Sequence, residues 1–154
     1  MGPRRPGVRV RLVAAIFVDR HGDSLLLSPP AGSLKNALDD QVPSLLAKLW
    51  HFPTASANRD SAATLRHLLA QQFQIKNLPA LTAEPLPQVR HTVTYRKIEV
   101  LPFLIRTQKL PRISGAKTIE LSEVVEQPIS NLTRKVARAA LKRLAATATK
   151  PDLY

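Results

Sequence analysis

The feature that most restricts how this 154-residue chain can fold is the stretch from Val8 to Val18. Its apolar residues first alternate with Arg9 and Arg11, and an uninterrupted apolar run then extends from Leu12 to Val18. Alternation is typical of a strand with one solvent-exposed face, whereas a continuous apolar run is typical of a strand covered on both faces. The stretch therefore predicts a strand that begins at a sheet edge and continues into a buried sheet. The run is too short to span a bilayer, so no membrane partner is expected.

The residues that follow predict a turn, a second strand and one helix. Asp19 to Asp23 has turn composition, and Ser24 to Ser28 predicts a strand that forms a hairpin with the first. Pro29 to Pro43 shows no periodicity and is interpreted as an irregular surface loop. A helix is predicted from Ser61 to Phe73, with Asp60 as its N-cap.

The second half of the chain predicts two more strands and a final helix. Val89 to Tyr95 and Ile98 to Ile105 are strand-like and are separated by a turn near Arg96. The last helix is predicted to begin at Ser130 or Asn131. Thirteen prolines against five glycines argue against a long helical bundle. Strands, a helix, further strands and a last helix indicate an α+β or mixed α/β fold.

Charge and cysteine content limit the classes of function. The chain has 23 Lys and Arg against 11 Asp and Glu, which gives a net charge of +12. This charge favours a polyanionic partner, and it favours a nucleic acid over a membrane surface. The absence of cysteine excludes a disulfide framework, a thiolate zinc site, an iron–sulfur cluster and a cysteine nucleophile. The four histidines show no metal-site spacing. We expect no catalytic residue, metal site or cofactor in this chain.

The ends of the chain differ in composition from its middle. Residues 1–7 are basic and proline-rich and are interpreted as a linker or tail, residues 8–145 as one domain, and residues 146–154 as a C-terminal tail. The first residues lack the apolar core of a signal peptide. The expected location is therefore the cytoplasm, at the bacterial nucleoid, and the expected state is a monomer.

Three segments carry a resemblance to a known family. They are Leu45–Pro53 (LLAKLWHFP), Val89–Tyr95 (VRHTVTY) and Ile129–Leu132 (ISNL). With the opening strands they resemble the C-terminal domain of the A/G-specific adenine DNA glycosylases of the MutY family. The resemblance covers roughly residues 8 to 144. It implies a Nudix-like fold, a mixed β-sheet flanked by helices.

Nudix hydrolases bind magnesium through glutamates of the motif Gly-x5-Glu-x7-Arg-Glu-U-x-Glu-Glu-x-Gly-U, where U is a bulky aliphatic residue. When the last glycine of this motif is set on Gln74, the positions of its glutamates carry no carboxylate: they are Arg59, Leu68, Gln71 and Gln72. Magnesium prefers hard, anionic oxygen ligands. The resemblance therefore implies that the helix persists as scaffold without a diphosphate-hydrolysing centre.

In the MutY family this domain is said to check for 8-oxoguanine opposite the target adenine. Oxidation gives guanine an N7–H donor and an O8 acceptor, and a hydroxyl can sense both changes. The family commonly has a Phe-Ser-His triplet in this strand-end loop, where the present chain has Val93, Thr94 and Tyr95. Thr94 keeps a hydroxyl, whereas Val93 lacks the aromatic ring and Tyr95 cannot become cationic. The candidate DNA- and lesion-binding residues are Arg90, His91, Thr92, Val93, Thr94, Tyr95 and Arg96, with Lys97 beside them.

The same resemblance implies two partners. One is double-stranded DNA containing 8-oxoguanine. The other is the catalytic helix-hairpin-helix domain of a parent glycosylase, which in the family usually holds an iron–sulfur cluster. Because this chain has no cysteine, such a cluster would belong to that separate domain. We therefore expect no base removal by this chain alone.

Other interpretations stay open on the sequence. A divergent Nudix hydrolase acting on an oxidised nucleotide would have four carboxylates available, Glu99, Glu120, Glu123 and Glu126. A basic scaffold that contacts RNA or repair proteins is a third class. Trp50 is interpreted as a residue that anchors the core rather than as a platform on which a base stacks. The last helix has basic residues, which form either a solvated face or a DNA-backbone contact: Arg134, Lys135, Arg138 and Lys142.

Overall fold

The first predicted strand is present and lies inside a five-stranded mixed sheet. Strand β1 (Val8–Val18) pairs antiparallel with the strand Thr54–Ser56 on one side and parallel with Arg96–Arg106 on the other. Two short strands, Thr82–Pro85 and Val89–Val93, pair one after the other with the far side of Arg96–Arg106. In chain order Thr54–Ser56 is β3, Thr82–Pro85 is β4, Val89–Val93 is β5 and Arg96–Arg106 is β6. The prediction of a strand that enters a buried sheet is confirmed.

The computed structural model describes residues 8–27, 50–57, 60–74, 82–93, 96–113, 115–127 and 129–148. The predicted loop at Pro29 to Pro43 lies outside these residues. So do Leu45 to Leu49 of the first segment that carries the family resemblance.

The predicted hairpin between the first two strands is wrong. Strand β2 (Asp23–Leu27) pairs antiparallel with β7 (Ala116–Glu120) in a separate two-stranded sheet. β6 pairs with β1 along its whole length on one side, and β3 pairs with Leu12, Val13 and Ala14 on the other, while β2 takes β7 as its partner. The turn itself forms as predicted, because the Asp19 carboxylate accepts hydrogen bonds from the backbone N–H groups of His21 and Asp23.

Helix α1 (Ser61–Phe73) has the predicted bounds and the predicted cap. The Asp60 side chain accepts a hydrogen bond of 3.1 Å from the backbone N–H of Ala63. This bond satisfies one of the amides that a helix N-terminus leaves without an intrahelical partner. One face of the helix is apolar and lies in the core, since Leu65, Leu68 and Leu69 are all buried.

Helix α2 (Asn131–Ala148) follows a 3₁₀ helix at Leu121–Glu126. The Ser130 hydroxyl accepts a hydrogen bond of 3.0 Å from the backbone N–H of Thr133, so Ser130 is the cap. This confirms the predicted start of the last helix. Among the described residues, neither helix is long and apolar enough to cross a membrane.

The sheet is covered by a helix on each face, which explains the continuous apolar run of β1. On one face Leu12 and Ile16 belong to a core with Val136 and Ala140 of α2. On the other face Val13 and Phe17 belong to a core with residues of α1. Successive side chains of a strand point to opposite faces, so a strand between two helices must be apolar at every position.

Candidate nucleic-acid interface

Helix α1 covers one half of its sheet face, and the other half is exposed and basic. From Val13 onward the residues of β1 on this face are buried beneath α1. Arg9 and Arg11 lie earlier on the same face of β1 and are exposed. Lys97, near the start of β6, is exposed as well. The part of this sheet face formed by the first residues of β1 and β6 is therefore accessible to a ligand.

Strand register brings the cations of three strands together there. Arg9 lies beside Lys97, and Arg11 beside Glu99, in the parallel pair of β1 and β6. Across the antiparallel pair of β5 and β6, Thr92 lies opposite Lys97 and Arg90 lies opposite Glu99. Residues that face each other across paired strands point to the same side of the sheet. We call this surface the basic platform; it consists of Arg9, Arg11, Arg90, Thr92, Lys97 and Glu99.

Glu99 is the one carboxylate of the platform, against four cations. Its Oε1 lies 3.6 Å from Nε of Arg9, and its Oε2 accepts a hydrogen bond of 2.5 Å from Nε2 of Gln88. The Glu99 side chain is 15% exposed, whereas that of Arg9 is 71% exposed. Arg9 and Lys97 are directly paired, and like charges opposite one another destabilise a sheet. The excess of positive charge is a cost to the fold that an anionic ligand would offset.

His91 lies on the opposite face of β5 from Arg90 and Thr92. It is half-buried, and its Nδ1 lies 3.1 Å from Nζ of Lys135 on α2. The same ammonium donates a hydrogen bond of 3.1 Å to the carbonyl oxygen of Arg90. Burial, and secondly the nearby charge of Lys135, lower the pKa of His91 from its usual 6.5. His91 thus lies with α2 and apart from the platform cations.

Two further predicted site residues, Val93 and Arg96, lie at the end of β5 and at the start of β6. Val93 and Arg96 form the last backbone pair of these strands, and Arg96 also pairs with Val8 of β1. Thr94 and Tyr95 lie outside the described residues. The structure therefore places the basic platform directly beside the ends of β5 and β6, between which Thr94 and Tyr95 stand in the sequence. Arg9 and Arg11 were not among the predicted site residues, although their alternation with apolar residues was visible in the sequence.

The backbone of α1 supports the alignment with the Nudix motif. Gln74, which was set on the last glycine of the motif, has φ 58° and ψ 31° and is the C-cap of the helix. It is the one described residue other than glycine with a positive φ. Glycine adopts this left-handed conformation without the steric cost that other residues have. The position therefore has the backbone geometry that explains a glycine in the motif.

The residues at the aligned positions do not fit a magnesium ion. Leu68 is 4% exposed and belongs to the core beneath α1, and Gln71 presents a neutral amide to solvent. Among the described residues, no three His, Asp or Glu side chains converge as metal ligands. This part of the chain includes the four glutamates considered for a divergent hydrolase.

The basic residues of α2 divide into two groups. Nε of Arg134 donates to the carbonyl oxygen of Val125, and its Nη1 donates to Oδ1 of Asn131, so Arg134 joins α2 to the 3₁₀ helix. Lys135 joins α2 to β5, as described above. Arg138 and Lys142 are exposed, and no ion pair of either is found within the described ranges.

Trp50 packs against the core on the α2 side of the sheet and is half-buried. Nζ of Lys117 lies 4.3 Å from the centre of a Trp50 ring and donates a hydrogen bond of 2.8 Å to Oε1 of Gln127. A cation over the indole face adds to the packing of the ring. The interpretation of Trp50 as a core anchor agrees with this arrangement.

Solved structures share this fold. The E. coli ORF135 protein is 20% identical, with a TM-score of 0.62 over 98% of this chain and 99% of its own. The C-terminal domain of mouse MUTYH, solved in complex with human PCNA, is 19% identical, with a TM-score of 0.61 over 89% of each chain. The NUDIX domain of Shewanella oneidensis NrtR, solved with ADP ribose, is 15% identical, with a TM-score of 0.64 over 89% of each chain.

No family model matches the sequence, and no curated protein matches it. At these identities the structural likeness shows the fold, and the neighbours include both the C-terminal domain of MUTYH and a NUDIX domain that was solved with ADP ribose. The predicted fold class is confirmed: the chain has a Nudix-like fold, a mixed sheet flanked by helices.

Proposed function

We propose that this chain is a DNA-binding module that recognises 8-oxoguanine opposite adenine and acts beside the catalytic domain of an A/G-specific adenine glycosylase. In this proposal the Nudix-like body supplies a surface for the DNA backbone and a loop that inspects the base. It contributes no bond-breaking step of its own. The parent protein's helix-hairpin-helix domain removes the adenine, and the proposed place of action is the bacterial nucleoid.

The basic platform is the observation that supports this proposal most. Four cations from three strands lie on one exposed sheet face, with a single carboxylate among them. Phosphate contacts of Arg and Lys supply most of the sequence-independent affinity for DNA and fix the position of a protein on the duplex. Because β5 and β6 both contribute to the platform, a bound backbone would lie next to the loop that joins them.

Base inspection is assigned to the Thr94 hydroxyl in that loop. A hydroxyl can accept a hydrogen bond from N7–H of 8-oxoguanine or donate one to O8, whereas ordinary guanine offers an acceptor at N7 and no group at C8. Thr94 stands where the MutY family commonly has serine. In this proposal the platform determines the affinity for DNA, and the loop determines the preference for the lesion.

The residues aligned with the Nudix motif argue against the hydrolase alternative. At the glutamate positions of the Nudix motif the chain has an arginine, a buried leucine and two amides. A neutral amide is a weak magnesium ligand, and a buried leucine offers none. We therefore expect magnesium-dependent turnover of nucleoside triphosphates to be undetectable; turnover of an oxidised nucleotide would favour the hydrolase instead.

The role of the platform is tested by duplex binding at two salt concentrations. Arg90→Ala should weaken binding to duplexes with guanine and with 8-oxoguanine by the same factor, about five- to tenfold near 0.1 M salt, and lower the log–log salt slope by about 0.9. Arg112→Ala is the matched control, because Arg112 is exposed beyond the opposite end of β6. Equal effects of the two variants would contradict the assignment of the platform.

The role of the loop is tested by the ratio of affinities for the two duplexes. Thr94→Ala should lose the preference for 8-oxoguanine and keep the salt slope, while Thr94→Ser should keep both. Thr118→Ala controls for loss of an exposed strand threonine, because Thr118 lies on β7 in the second sheet. If Thr94→Ala keeps the preference, the hydroxyl of Thr94 is not the sensor.

A further inference from the structure

The exposed face of α2 presents a row of cations. Lys135, Arg138 and Lys142 are all exposed, and spacings of three, four and seven residues place them on one side of the helix. At about 1.5 Å per residue the row extends roughly 10 Å along the helix axis. We call these three residues the α2 row.

The α2 row lies along the sheet edge that β5 and β4 form. At one end Lys135 donates to the Arg90 carbonyl oxygen of β5. Near the other end Arg143 pairs with Glu84 of β4 at 2.5 Å, and Arg106 of β6 lies 3.9 Å from the same carboxylate. The carboxylate of Glu84 is thus engaged by Arg143 and Arg106, while Arg138 and Lys142 have no ion pair within the described ranges.

The α2 row and the basic platform meet at β5. The Arg90 side chain belongs to the platform on one sheet face, while its carbonyl oxygen is bound by Lys135 from the other face. Positive charge therefore continues around the strand that leads into the predicted inspection loop. Two cationic surfaces on either side of one edge suit a ligand with two separate lines of negative charge.

We propose that the α2 row is a second phosphate-binding surface, which contacts a different part of the duplex backbone from the part bound by the basic platform. This inference rests on the proposed function, because it assigns a second contact to the same duplex. Such a contact would fix the orientation of the duplex relative to β5, and not only its distance from the loop. Phosphate contacts position a protein on DNA in this way without reading sequence.

A lipid surface fits the α2 row less well than a duplex does. Helices that lie in a membrane interface insert an apolar face that opposes their cations. In α2 the residues of that face, Leu132, Val136 and Ala140, are buried in the core of the domain. The row is therefore a cationic surface without an accessible apolar one, which suits phosphates that remain in water.

The test is duplex binding by the double variant Arg138→Ala/Lys142→Ala of the full chain. Alanine favours helix at both exposed positions, so circular dichroism should be unchanged. We expect affinity to fall by about tenfold or more near 0.1 M salt and the log–log salt slope to decrease by about 1.8, since each phosphate contact contributes about 0.9. The preference for 8-oxoguanine should stay as it is.

The matched control is Lys109→Ala/Arg112→Ala, which removes the same two kinds of charge. Both residues are exposed, and Leu110 between them packs into the core on the α1 side, the sheet face opposite α2. If the two double variants change affinity and slope equally, the α2 row is not a binding surface. The same holds if the α2 variant loses binding to phosphatidylserine vesicles but keeps its duplex affinity.

The outcomes separate this inference from the proposed function. Duplex binding that depends on the α2 row, but that does not distinguish 8-oxoguanine from guanine, would keep the row and remove the lesion-recognition role. A preference that depends on Thr94, together with an α2 variant that behaves like its control, would support lesion recognition and contradict phosphate binding by the α2 row.

Discussion

Lys135 and His91 are in direct contact: Nζ of Lys135 lies 3.1 Å from Nδ1 of His91 and 3.1 Å from the carbonyl oxygen of Arg90. An ammonium group only donates hydrogen bonds, so Nδ1 of His91 must accept, and a neutral ring then carries its proton on Nε2. The contact attaches α2 to the strand that carries Arg90. Its strength therefore depends on the protonation of His91.

The titration of His91 tests this contact first. Burial, and secondly the charge of Lys135, lower the pKa of His91 from 6.5. Lys135→Met should raise that pKa only part of the way back to 6.5, because burial, which is the larger cause of the shift, remains. Histidine ring signals followed by NMR across pH measure both values. A pKa of 6.5 or more in the native chain, or no change in the variant, would contradict the contact.

The pH dependence of stability should follow from the same shift. Because the folded-state pKa of His91 lies below the unfolded-state value, the unfolded chain binds the proton first as pH falls. The contribution of His91 to the free energy of unfolding is therefore fully present above about pH 6.5. It is lost as pH falls from there through the folded-state pKa. Urea unfolding at a series of pH values measures it. His91→Gln should flatten this part of the profile, and parallel profiles for the two proteins would refute the assignment.

The left-handed residue at the end of α1 gives a prediction about backbone conformation. Gln74→Gly should stabilise the chain by about 0.5–1 kcal/mol, because glycine adopts the observed φ of 58° without steric cost. Gln71→Gly, inside the same helix and exposed, should destabilise the chain by about 1 kcal/mol. Free energies of unfolding in urea compare the two. Destabilisation by both variants would show that α1 ends elsewhere.

Leu68 tests whether α1 serves as scaffold. Restoring the motif residue with Leu68→Glu should cost about 3 kcal/mol or more, because the carboxylate would enter the core beneath α1. Leu68→Met keeps the apolar volume and should cost less than about 1.5 kcal/mol. Thermal unfolding of both variants measures the difference. A stable Leu68→Glu protein that gained magnesium-dependent hydrolysis would instead place this residue at a working site.

Local patterns in the sequence predicted the elements of the fold but not the pairing of its strands. The β1 pattern, the Asp60 cap and the start of α2 each depend on neighbouring residues, and all three were correct. The hairpin was wrong because the turn after β1 is local, whereas the partners of β1 and β2 are distant in the sequence. β6, which pairs with β1 along its whole length, is nearly ninety residues away.

The candidate site shows the same limit. Arg90 and Thr92 were identified through a family resemblance in one segment. Arg9 and Arg11 were visible as the polar side of an alternating strand, but nothing local indicates that they lie beside Lys97 and Glu99. The contact between Lys135 and His91 likewise joins residues more than forty positions apart, and it became evident only from the packing of α2 on β5.

The most direct test of the central claim is the affinity of the unmodified chain for two duplexes that differ only in guanine or 8-oxoguanine opposite adenine, measured by fluorescence anisotropy at two salt concentrations. We expect tighter binding to the 8-oxoguanine duplex at both concentrations, and affinity for both duplexes that falls steeply with salt. Equal affinity for the two duplexes, or no binding to either, would contradict the account.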